Sequence, residues 1–143
     1  MIDDTKKLLK ECNAGCKSAT NSLEQVIEFV KDSEFKKLLE NYNKKHVDIG
    51  DKCHELLNNI NEDEKDPQTI AKTMAWFSTE MKLMLDNTNA EIADLLIDGC
   101  NMGIKSLNKY INSYPSASSN VVDLTKKLIE IEENMREDLY KYL

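Results

Sequence analysis

A chain of 143 residues, 41% apolar and 31% charged, is long enough for one domain with a single buried core. Its net charge of −7, with lysines dispersed among acids, excludes the clustered basic face that nucleic-acid binding needs. Only four glycines and two prolines break the chain, so the expected class is all-α.

The amino terminus carries Asp3 and Asp4 where a secretory signal would carry lysines, and no apolar h-region follows. No apolar stretch approaches the roughly 18 residues that a membrane span requires. A cytoplasmic protein with no membrane partner is expected, and its four cysteines are then reduced thiols.

A first helix is predicted over 5–31, where Leu9, Cys12, Cys16, Ala19, Leu23, Val26 and Val30 step by threes and fours. Ser33 is the expected N-cap of a second helix over 34–61, whose seam is Phe35, Leu39, Tyr42, His46, Ile49, Cys53, Leu56 and Ile60. So short a connection predicts an antiparallel hairpin. A polar linker over 61–67 ends on Pro67 at a first helical position. The helix beyond it carries Ile70, Met74, Trp76, Phe77, Met81 and Met84, and stops near Asp86 and Asn87. A third long helix over 90–113 uses Ile97, Cys100, Ile104, Leu107 and Ile111, and a turn-rich loop leads into a last helix from Val121 to the end.

These elements contain a repeat. Cys-Asn-x-Gly-x-Lys-Ser occurs at 12–18 and again 88 residues later at 100–106. The second and last helices align at an offset of 86, which pairs His46 with Glu132 and Cys53 with Leu139. Two copies at this separation imply a duplicated hairpin rather than a solenoid. The single domain over 1–143 therefore divides into a hairpin at 5–61, a crossover at 62–89 and a hairpin at 90–143.

With Cys12-Asn13-Ala14-Gly15, Cys100-Asn101-Met102-Gly103 and Trp76 as its marks, the chain resembles the ferritin-like four-helix-bundle superfamily. Within it, the chain looks closest to a small stand-alone bacterial domain family of uncharacterised function. The resemblance implies two antiparallel hairpins related by a pseudo-twofold axis. It does not bring a diiron centre, because no Glu-x-x-His occurs and His46 and His54 are the only histidines.

Two groups of residues remain as site candidates. His46 and Glu132 fall at matching core positions, and pairing would raise the imidazole pKa. They read either as a register-fixing polar pair or as part of a reduced metal or ligand site. Cys12, Cys16, Cys53 and Cys100 all lie on seams, and the hairpin register predicts Cys12, Cys53 and Cys100 in one layer, with Cys16 a turn below and His54 alongside Cys53. They read either as small core hydrophobes or as ligands to a soft or transition metal such as copper, zinc or iron. Gly15 and Gly103 predict a close approach of two helices. The methionines and aromatics of the crossover suit core packing or a homodimer interface, which a bundle face could also supply. No nucleophile stands beside a base, so the leading expectation is a non-enzymatic binding or structural module, with metal binding or metal storage as the alternative.

Overall fold

The computed structural model describes residues 2–63 and 67–143, with side chains over 3–63 and 70–143. Among the described residues, five α-helices follow one another: α1 (Ile2–Ile27), α2 (Ser33–Asn59), α3 (Pro67–Lys82), α4 (Asn89–Ser113) and α5 (Ser119–Leu139). A single 3-10 turn, Tyr140–Tyr142, ends the chain, and no strand occurs among the described residues. The linker predicted over 61–67 includes residues 64–66, which lie outside the described residues.

Local chemistry sets the helix ends, and it moves several of them from their predicted places. α1 stops at Ile27 rather than 31 because Phe29 N–H and Val30 N–H donate back to the Val26 and Ile27 carbonyls, tightening the last turn. Asp32, not Ser33, caps α2: its carboxylate accepts from the Phe35 N–H at 3.0 Å. We expect Asp32→Ala to cost about 1 kcal/mol, read as a drop of roughly 3–4 °C in a thermal melt.

Asn61 closes α2 in a left-handed conformation, φ 54°. There Glu62 N–H reaches the Leu57 carbonyl and Asn61 N–H reaches the Asn58 carbonyl, the pairing of a Schellman motif. Glu62 is thereby presented to Lys6 at 2.8 Å and Lys10 at 3.1 Å, tying the end of α2 to the start of α1. The helix predicted to run through Met84 ends at Lys82, and the chain turns at Asn87, φ 50°. α4 opens on a capping box between Thr88 and Glu91, whose carboxylate also accepts from the Leu85 and Asp86 N–H groups.

Packing joins α1 most extensively to α2, and α4 to α5, while α1 also contacts α3, α4 and α5. α1 and α4 run antiparallel, since the loop after α4 returns to the start of α1. Ser116 N–H donates to Asp4 at 2.9 Å and Ser118 N–H to the Thr5 hydroxyl at 2.8 Å. α2 and α5 are antiparallel as well, joined by Tyr42 to Asp138 and by His46 to Glu132.

Two apolar clusters fill the interior. One gathers Leu23, Val26, Phe35, Leu39, Ile92, Cys100, Met135 and Leu139. The other gathers Leu8, Leu9, Cys12, Cys16, Ile49, Cys53, Leu57, Leu107 and Leu128. Among the described residues, no helix is long and apolar enough to cross a membrane.

Candidate functional site

His46 and Glu132 meet in the interior. The imidazole is 0% exposed and Glu132 only 6%, and Nε2 lies 2.8 Å from the carboxylate Oε1. The other ring nitrogen, Nδ1, donates to the Tyr42 carbonyl at 2.7 Å. Burial opposes protonation of the ring, but the Glu132 hydrogen bond, its charge and the Tyr42 carbonyl outweigh it, so the His46 pKa is raised. With both ring nitrogens facing oxygen acceptors, the imidazolium satisfies the geometry without a lone pair to spare for a metal. Tyr42 continues the same face, donating its hydroxyl to Asp138 at 2.5 Å, and burial with this acceptor pushes its pKa up.

Glu132 also reaches the wall of a cavity of about 180 Å³ bordered by α1, α3, α4 and α5. The repeated motif lines it from both sides. Gly15 faces it with Gly103, Ser18 with Ser106, and Ala14 with Met102. Glu11 and Gly99, Ala19 and Leu107, and Ser22 and Tyr110 extend the same correspondence, every pair separated by 88 residues. Ile70, Thr73, Trp76 and Phe77 of α3 cover it, and Cys100 and Glu132 lie at its inner wall.

The glycines serve this space more than any contact between helix backbones. A Cβ on Gly103 would reach the Glu132 carboxyl carbon at 3.8 Å, and one on Gly15 would meet Leu128 at 3.4 Å, both ordinary contacts. A Cβ on Gly99 would meet nothing within 4 Å. The predicted close approach at Gly15 and Gly103 is therefore replaced by a cavity that side chains would fill.

The hairpin register holds for three of the four cysteines and fails for Cys100. Cys12, Cys16 and Cys53 come together, their sulfurs within 4.8 Å of one another, and all three are buried. Cys100 is not with them; it belongs to the other apolar cluster and faces Glu132. The reason is the antiparallel course of α1 and α4. Cys12 and Cys100 each stand three residues before a motif glycine, so opposed helices carry them to opposite sides of the glycine pair. His54 does not join the thiols either, because one residue beyond Cys53 the α2 surface has turned to solvent.

Within the trio, hydrogen bonds from Cys16 and Cys53 favour the Cys12 thiolate and hold its pKa well below the ordinary value, against burial. Cys12 correspondingly pushes the Cys16 and Cys53 thiols up. Burial and the Glu132 charge do the same to Cys100. Among the described residues, the trio is the one group of three or more metal-capable side chains that converges.

Thr125 and the cavity wall are absent from the sequence expectations. The signal for the wall was present: Ala14, Gly15, Ser18, Ala19 and Ser22 form a small-residue stripe at helical spacing, and the 88-residue repeat sets Gly103 and Ser106 opposite it. No family model matches this chain, and neither a curated protein nor a solved structure matches it.

Proposed function

We propose that this chain is a non-enzymatic binding module: a ferritin-like bundle of two related hairpins, without a diiron site, that holds one small ligand between its repeated motifs. The single observation that carries this reading is the pairing of the cavity wall, in which six positions of α1 and their counterparts 88 residues later surround one space. A twofold relation between hairpins is supported by residues that are each other's counterparts and also touch. His46 and Glu132 do so at 2.8 Å, and Gly15 and Gly103 border the same cavity. Counterparts can meet only on the axis that relates them.

The wall describes the ligand. Trp76, Phe77 and Tyr110 offer aromatic surface, the serines and the Glu11 and Glu132 carboxylates offer hydrogen-bond acceptors, and His46 neutralises the Glu132 charge. A space of this volume matches an aromatic ring in scale (benzene fits a cavity of about 150 Å³). A compact, largely apolar molecule with one O–H or N–H donor fits both size and chemistry.

Titration with phenol and with indole tests this directly. Either should bind saturably by calorimetry and raise the melting temperature. Gly99→Leu, which extends a side chain into the cavity, should abolish that binding and leave the fold intact. Absence of saturable binding by both probes, or unchanged binding in Gly99→Leu, would overturn the reading.

A further inference from the structure

One cluster of nucleophilic side chains lies apart from the cavity. Cys12 and Cys16, one turn apart on α1, meet Cys53 of α2 with all three sulfurs within 4.8 Å of one another. Their exposures of 0%, 2% and 0% keep all three thiols out of contact with bulk solvent. We propose that Cys12, Cys16 and Cys53 form a binding site for a single soft monovalent ion, Cu(I), independent of the ligand cavity.

The choice of ion follows from the donors. Zn(II) takes four ligands in structural sites and keeps a water or substrate where protein supplies three. Among the described residues, no fourth metal-capable side chain converges on the trio. His46 is committed to Glu132 and the Tyr42 carbonyl, His54 faces outward, and Cys100 lies with Glu132. The Thr125 hydroxyl beside Cys12 already donates to the Val121 carbonyl at 2.9 Å and brings no charge. Thiolates select Cu(I), which is satisfied by two or three of them in a site closed to water.

Simple core filling accounts for each cysteine singly, since the counterparts of Cys16 and Cys53 are Ile104 and Leu139. It gives no reason for three thiols from two helices to converge. Binding breaks S–H bonds, forms Cu–S bonds and releases the protons to solvent. The ion arrives and remains as Cu(I), so no electron is transferred.

The test is an anaerobic titration of the reduced full chain with Cu(I) supplied as its acetonitrile complex, against bicinchoninate as competitor. One Cu(I) per chain should bind, with a new ultraviolet sulfur-to-copper absorption and a matching mass increase under native ionisation. Cys16→Ile and Cys53→Leu keep the core filled with the residues found at the counterpart positions. Each should weaken binding by at least about 100-fold, the upper range for loss of even an outer-shell partner. Cys100→Ala should change it by no more than about twofold, as for an independent site. Failure to outcompete bicinchoninate, retention of Cu(I) affinity in both folded variants, or preferential uptake of Zn(II) would overturn the proposal.

Discussion

Replacing His46 with leucine should lower stability by about 3–5 kcal/mol at neutral pH, because the Glu132 carboxylate is then left in the interior without its cationic partner. The double variant His46→Leu/Glu132→Leu should recover most of that loss, since exchanging a buried ion pair for apolar side chains is often neutral or better. Urea denaturation of the wild type and the two variants measures both effects, and equal losses in the single and the double variant would exclude a coupled pair.

The pH dependence has a definite sign. The folded state raises the His46 pKa above its ordinary value of 6.5. The stability this contributes is therefore fully present below about pH 6.5 and disappears as pH rises through the folded pKa. Titrating the His46 ring resonances should place that pKa above 6.5. The stability of the wild type relative to the double variant should fall across the same interval.

Phe35→Ala should be comparably severe, at about 3–5 kcal/mol. Phe35 is 0% exposed, and its ring stacks on Tyr142 with centroids 4.1 Å apart and planes inclined by 12°. The residue sits two positions after the N-terminus of α2, where it joins the helix start to the 3-10 turn that ends the chain. Truncation removes the transfer energy of the ring, opens a cavity and strands Tyr142. Tyr142→Ala should cost less, because Tyr142 keeps part of its surface in solvent. Denaturant midpoints that rank the two variants the other way would show that the stack is held from the Tyr142 side.

The seam of α1 and the repeated motif were legible because each is a statement about spacing along one chain. Alternating steps of three and four put Leu9, Cys12, Cys16 and Leu23 on one face of α1, and all four are buried. The same arithmetic at an offset of 86 brought His46 and Glu132 to matching places. Helix ends were less legible, because a cap is a competition among neighbouring hydroxyls and carboxylates. At the start of α2 the carboxylate of Asp32 won over the Ser33 hydroxyl.

By itself, the order of residues determined that this protein is helical, that its thiols and its one buried histidine face inward, and that one short motif recurs 88 residues along. Only the tertiary structure decided which thiols meet. The direction of α4 against α1 is not written in any local spacing, and reversing it would carry Cys100 to the side of the glycine pair where Cys12 lies. The cavity was decided there too, since a glycine marks an absent side chain, and only the helices around it determine whether that absence becomes a contact or a space.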